Sequence, residues 1–227
     1  DTRRWVDTNT NLGIVLLMAP AARAAALALA DRDAFPPDDD RLADAALWES
    51  LERVLASTTV EDAELAYRAI RRAEPGGLGR VEEQDVRDRP TVPLRDAMAR
   101  AAGRDAVAEQ YATDYELLRT VALPAVRSAR EEGLPWEDAA HRCFVRLLAE
   151  RPDSLVSRKF GLDEARELRE EAERLLGLGP PEAPGPAKGW AELDRRLRAA
   201  TPPRNPGTTA DLTAAALFIA LEGGLEV

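Results

Sequence analysis

Two short segments, 8–13 and 205–211, combine hydroxyl and amide side chains with a glycine, and each one stands at the start of a strongly apolar stretch. If these stretches are helices, the segments form their N-termini, which offer unpaired backbone N–H groups and a positive dipole end. Glycine also allows a ligand to approach the backbone. Phosphate or metal-bound phosphate suits such a site, although helix capping by Asn, Thr and Asp explains the same pattern.

A third polar segment, 153–159, places a carboxylate close to two cations. Asp153 could serve as a ligand of Mg²⁺, and Arg158 and Lys159 could hold a polyphosphate. A turn at a helix end with solvated charges is the alternative interpretation.

The charged stretch 80–93 is long for a loop and carries several acids. They are Glu82, Glu83, Asp85 and Asp88, of which the first three are the candidates for chemistry. Long charged loops are often functional, whereas a solvated surface is the simpler explanation of the same residues.

His141 is the only histidine and Cys143 the only cysteine. This excludes a metal centre with several histidines, a cysteine-built metal site and an internal disulfide. Because His141 and Cys143 are two positions apart on a predicted helix, their side chains do not lie on the same face. We therefore expect both side chains to serve packing. The single cysteine favours the cytoplasm.

The net charge of the chain limits the kinds of partner that it can bind. The chain has 31 Lys and Arg against 41 Asp and Glu, a net charge of −10. Nucleic-acid binding needs a positive surface, so we expect no nucleic-acid partner, whereas small phosphorylated ligands stay compatible with a local cationic pocket. A homo-oligomer is compatible with the sequence, which does not fix the oligomeric state.

We predict that the secondary-structure elements that position these residues are all helices. Apolar residues recur at helical spacing, and no strand-like alternation is present. We predict an all-α fold: one multi-helix bundle over residues 1–227, with two apolar helices, from Leu12 and Leu212, at its centre. The stretch 12–30 resembles a membrane span, but Pro20 and Arg23 interrupt it, so a buried helix is the prediction.

Local signals set several helix boundaries. Thr59 to Asp62 resembles a capping box for a helix ending near Ala73. One apolar face from Val107 to Val126 predicts a helix that Pro124 kinks or breaks. Further helices are predicted over 135–151 and 162–176 and after Trp190, with the Pro- and Gly-rich stretch 177–189 as a surface connection.

Four segments together resemble the triphosphoribosyl-dephospho-CoA synthase family, in its archaeal-type branch. They are Thr8-Asn9-Thr10-Asn11-Leu12-Gly13, Gly76-Gly77-Leu78-Gly79, Asp153-Ser154-Leu155-Val156-Ser157-Arg158-Lys159 and Asn205-Pro206-Gly207-Thr208-Thr209-Ala210-Asp211-Leu212. The resemblance implies an all-α enzyme that joins ATP to 3′-dephospho-CoA and releases adenine, giving 2′-(5″-triphosphoribosyl)-3′-dephospho-CoA.

That chemistry implies roles for the matching residues. Asp211 is the first choice for the carboxylate beside the positive sugar or for a Mg²⁺ ligand, and Asp153 is the second; Glu82 and Asp85 are weaker candidates for the base. The residues expected to hold phosphate or ribose are Asn9, Asn11, Gly13, Arg158, Lys159, Arg204, Asn205, Gly207, Thr208 and Thr209.

The family usually carries an upstream segment with a Lys-Pro-Gly motif, and nothing of the kind precedes Asp1. We therefore expect an N-terminal family segment to be missing. A nucleotide-binding or regulatory homologue without turnover, the same transfer to another alcohol, and an unrelated helical scaffold are the competing hypotheses.

Overall fold

The computed structural model describes residues 11–30 and 40–222, with side chains in the second range from residue 45 onwards. These residues are mostly helical and contain no strand, so the all-α prediction is confirmed. The eleven α-helices of the described ranges are α1 Leu12–Ala30, α2 Asp40–Ala56, α3 Val60–Ala73, α4 Leu94–Ala99, α5 Ala106–Ala112, α6 Leu123–Glu131, α7 Trp136–Glu150, α8 Ser154–Phe160, α9 Leu162–Leu176, α10 Pro184–Ala199 and α11 Gly207–Glu222.

The chain divides into two compact units. Unit 1 comprises 1–116 and 218–227, and unit 2 comprises 117–217. In unit 1, α1 packs against α2, α3 and α5; in unit 2, α9 packs against α7, α8 and α10. The interpretation of residues 1–227 as a single domain stays a prediction.

The α1 helix buries one face, so the prediction of a buried helix holds for that face alone. Leu17 is fully buried, whereas Val15 is 59% exposed. Among the described helices, α1 alone has the length and apolar composition to cross a membrane, properties that core helices and signal sequences share.

Pro20 lies inside α1 and lacks the N–H that would bind the carbonyl of Leu16. The hydroxyl of Tyr111 donates to that carbonyl at 2.6 Å, and the hydroxyl of Tyr115 donates to the next one, Leu17, at 2.8 Å. Burial raises the pKa of both phenols, which keeps them protonated as donors. The helix continues through its proline, and the hydroxyl of Tyr111 on α5 supplies the donor that Pro20 lacks, while Tyr115 adds a hydrogen bond to the neighbouring carbonyl.

The apolar face from Val107 to Val126 does not lie on one helix, which corrects that prediction. The chain leaves α5 at Ala112, passes through Asp114 and Tyr115 with positive φ, and resumes as a π-helix, Leu118–Ala122. Asp114 is held by two hydrogen bonds from the Arg95 guanidinium, at 2.7 and 2.8 Å.

Other boundaries agree with local chemistry. The Thr59–Asp62 capping box is confirmed, and α9 spans the predicted residues. The helix expected after Trp190 begins earlier, at Pro184, so only the first part of the connection 177–189 is a loop. Proline fits this start because the first turn of a helix needs no N–H from it.

Candidate active site

The starts of α8 and α11 meet through the carboxylate of Asp153, which is 2% exposed. One carboxylate oxygen accepts from the backbone N–H groups of Leu155 and Val156, both at 2.9 Å, and so caps α8. The other accepts from the backbone N–H and the hydroxyl of Thr209, both at 2.8 Å. Two of the polar segments singled out by sequence are therefore joined within unit 2.

Two further contacts reinforce this joint. The hydroxyl of Ser154 donates to that of Thr208 at 3.0 Å. A Cβ on Gly207 would lie 2.6 Å from Cδ2 of Leu155, so the glycine lets the α8 side chain approach α11. The sequence suggested ligand access as the reason for this glycine, whereas the neighbour in the structure is protein.

Asp153 also changes what the start of α11 can bind. Its carboxylate occupies the N–H of Thr209, and the N–H of Ala210 donates to the carbonyl of Pro206. The anion that the helix dipole favours is thus supplied by the protein itself. Burial raises the pKa of the Asp153 carboxyl, and the hydrogen bonds that it accepts oppose this shift. A phosphate at this joint would depend on side chains.

Cationic side chains lie on the same segments. Arg204 forms an ion pair with Glu164, Nε to Oε1 at 2.5 Å, and its guanidinium lies 5.4 Å from the ring centroid of Phe160. Arg158 is half-buried and Lys159 is exposed at the end of α8. Sequence reasoning missed Glu164, because nothing local marks a partner forty residues away from Arg204.

The other predicted residues of this segment differ in accessibility. Asn205 is exposed and Asp211 is half-buried, whereas Thr208 and Thr209 are buried. Asp211 is thus partly exposed to solvent, and it also takes part in contacts within the protein. Among the described residues, no group of three or more His, Cys, Asp or Glu side chains is arranged to hold a metal ion.

The second apolar-helix start belongs to unit 1. Asn11 is exposed immediately before α1, Gly13 is buried in its first turn, and Asn9 lies outside the described residues. Because Asn11 and Asp211 fall in different units, a composite site built from both segments stays a prediction.

The loop 80–93 of unit 1 is organised around Asp85, which is 3% exposed. Its carboxylate accepts from the backbone N–H groups of Val81 and Arg87, both at 2.9 Å. Those hydrogen bonds lower the pKa of Asp85, which makes it a weaker base. Glu82 is exposed, and Glu83 pairs with Arg100.

The sequence predicts that His141 and Cys143 both serve packing. This holds fully for Cys143 and in part for His141. Cys143 is fully buried in α7, and burial raises the pKa of its thiol to about 12. His141 lies edge-on to the indole of Trp190, with ring centroids 6.2 Å apart. Burial lowers the pKa of this imidazole below its ordinary value, which favours the neutral ring, while the neighbouring Asp138, Glu182 and Asp194 oppose the shift.

The fold and the joined segments define an all-α protein with a polar site at two helix N-termini. The chain belongs to the CitG family, ATP:dephospho-CoA triphosphoribosyl transferase, whose model matches residues 1–226. It is accordingly a transferase of the triphosphoribosyl-dephospho-CoA synthase type, and ATP and dephospho-CoA are the substrates of its family.

One solved structure supports the fold. A protein of Archaeoglobus fulgidus, named in its crystal structure as a candidate triphosphoribosyl-dephospho-CoA synthase, superposes with a TM-score of 0.67 at 23% identity. The match covers 94% of this chain and 83% of the other. No curated protein matches the chain.

Proposed function

We propose that the joined segments 153–159 and 204–211 hold the triphosphoribosyl part of ATP while the 2′-hydroxyl of 3′-dephospho-CoA attacks the ribose carbon that bears adenine. The bond from that carbon to adenine breaks, a bond to the acceptor oxygen forms, and the hydroxyl proton passes to a base. The bond between Asp153 and Thr209 carries this proposal, because it brings two motif segments of the family together.

Asp211 is the carboxylate that we assign to the sugar. Positive charge grows on the ribose carbon as adenine leaves, and a nearby carboxylate stabilises it. Asp211 is half-buried in α11, whereas both oxygens of Asp153 already accept two hydrogen bonds each. We therefore assign Asp153 as a positioning residue.

Arg158, Lys159 and Arg204 are the side chains that we assign to the triphosphate, because helix N–H groups at this joint are taken by Asp153. Asn205 and Thr208 are assigned to ribose or phosphate oxygens. For Asn9, Asn11 and Gly13, and for Glu82 as the base, the roles stay predictions from the sequence resemblance.

Mg²⁺ fits this arrangement with Asp211 as its single protein carboxylate, because in nucleotide sites phosphate oxygens and water supply most of its ligands. Asp153 does not fit, since its oxygens are engaged. Bound Mg²⁺ would neutralise charge on the triphosphate.

We propose the cytoplasm as the compartment of the reaction.

The test is to incubate the protein with ATP, Mg²⁺ and 3′-dephospho-CoA and to detect adenine and the triphosphoribosylated product by chromatography and mass spectrometry. We expect both products, and a loss of at least about 100-fold in Asp211→Asn, as for removal of one transition-state contact. Asp163→Asn is the matched control, because the Asp163 side chain is 94% exposed. Adenine alone would indicate another acceptor or hydrolysis; nucleotide binding without products would favour a homologue without turnover.

A further inference from the structure

A cavity of about 920 Å³ lies within unit 2, between α7, α10 and the segment 203–206. Both helices pack against α9, and α10 approaches it closely at Gly189, where a Cβ would lie 2.5 Å from Cδ2 of Leu175. We name this space the α7–α10 cavity; its volume is at the upper end of the range for sites that bind small molecules.

The walls favour a flat apolar group. Phe144 and Leu148 of α7 and Trp190 and Leu197 of α10 line the cavity, with the ring of His141 beside Trp190. Aromatic rings gain most from packing against other flat rings in offset or edge-on geometry.

Three buried polar atoms of the lining have no hydrogen-bond partner in the described part of the chain: Nε1 of Trp190, Oε2 of Glu182 and Nε of Arg204, which is close to Glu164 as an ion pair only. The first is a donor on a side chain that is 6% exposed, and the second is an acceptor whose companion oxygen binds Arg142. Leaving such atoms unpaired is costly, so a ligand that offers both an acceptor and a donor would be favoured.

The charges of the lining are largely matched within the protein. Asp194 pairs with Arg198 and Glu182 pairs with Arg142, whereas Arg204, which also pairs with Glu164, is the lining cation assigned above to the triphosphate. An uncharged ring with polar edges therefore fits the interior better than a phosphate does.

We propose that the α7–α10 cavity binds the adenine ring of a nucleotide, with the ring amino group available to Glu182 and a ring nitrogen to Trp190. Asn205 and Pro206 line the cavity and lead directly into α11, so the sugar and phosphates would extend toward the joined segments. The inference rests on the proposed function for this orientation. The ring could come from ATP or from dephospho-CoA, both of which contain adenine.

The experiment fills the cavity without deleting core contacts. Ala187 lines it from α10, so Ala187→Phe should occupy the space, whereas Ala199→Phe, at an exposed position of the same helix, is the matched control. Calorimetry with adenosine as the probe should show binding to the wild type and the control, and at least a tenfold loss in Ala187→Phe. Circular dichroism and thermal unfolding check both folds, with Trp190→Phe as the second variant if Ala187→Phe is unstable.

Titrations with ATP and with dephospho-CoA identify the source of the ring, because the nucleotide seated in the cavity is the one whose affinity falls in Ala187→Phe. Absence of adenosine binding to the wild type, or unchanged binding of adenosine or of both nucleotides to a folded Ala187→Phe, overturns the inference. The transfer assay is read separately. Wild-type transfer with unaltered Ala187→Phe binding removes the cavity assignment alone, whereas cavity-dependent adenosine binding without wild-type transfer removes the proposed function alone.

Discussion

The α1 and α11 helices begin with the same kind of sequence, yet the structure completes their hydrogen bonding differently. At the start of α11, the N–H of Thr209 donates to the buried carboxylate of Asp153, which also caps α8. In the middle of α1, the neutral hydroxyl of Tyr111 replaces the donor lost at Pro20, and the hydroxyl of Tyr115 binds the next carbonyl.

Burial separates the two helices as well. The α1 helix leaves Val15 and Leu29 exposed, whereas Leu212, Ala215, Ala216, Ile219 and Ala220 are buried along α11. An apolar stretch after an Asn, Thr and Gly segment therefore does not define one environment. The environment depends on partners that the chain brings from 56 residues away for Thr209 and 95 residues away for Leu16.

The largest expected effect is that of breaking the α8–α11 joint. Asp153→Ala removes the acceptor of three backbone N–H groups and one buried hydroxyl, and we expect the free energy of unfolding to fall by about 3 kcal/mol. Urea denaturation at pH 7 measures it, with Asp163→Ala as the exposed control. A loss below about 1 kcal/mol would show that the joint contributes little.

The corresponding test in α1 is a double-mutant cycle. Tyr111→Phe leaves the carbonyl of Leu16 without its side-chain donor, and we expect a cost of about 1 to 2 kcal/mol. In the Pro20→Ala background, the restored N–H can bind the same carbonyl, so the cost of Tyr111→Phe should shrink by about 1 kcal/mol. Additive effects in urea denaturation would contradict the idea that Tyr111 compensates for the proline.

The α8–α11 joint and the contact of Tyr111 with α1 also show what the sequence could and could not predict. Helix boundaries with a local cause were predictable: the capping box at Thr59, and α9 with its apolar stripe. The break between α5 and α6 was not, because positive φ at Asp114 and Tyr115 is enforced by the distant partners Arg95 and Leu17.

The same limit applies to the candidate site. The resemblance identified Asp153 and Thr209 as members of two motifs, but not that one binds the other. A carboxylate near a helix start looks the same in sequence whether it faces solvent, a metal ion or another helix. Only the fold shows that both oxygens of Asp153 are engaged, which agrees with the sequence preference for Asp211 over Asp153 as the proposed carboxylate.

The smallest expected perturbation is tested by comparing two thiols. One is native and its surroundings include α11, and the other is introduced on α1. Cys143 is fully buried, and its environment includes a side-chain hydrogen bond with Thr213 of α11. With a pKa of about 12, the thiol stays protonated at pH 8, so an aromatic disulfide reagent should label it only after unfolding. Val15→Cys places a second thiol on α1 where the native side chain is 59% exposed, and this thiol should react at once.

The labelling stoichiometry follows from that contrast: one thiol reacts in folded Val15→Cys and two react in denaturant. Val15→Cys combined with Cys143→Ala assigns the fast signal, and unchanged thermal unfolding shows that neither substitution disturbs the fold. Fast labelling of Cys143 in the folded wild type would mean that α7 opens locally, since a static buried thiol offers the reagent neither access nor a thiolate. Slow labelling of the introduced thiol would instead mean that the exposed face of α1 is covered in solution.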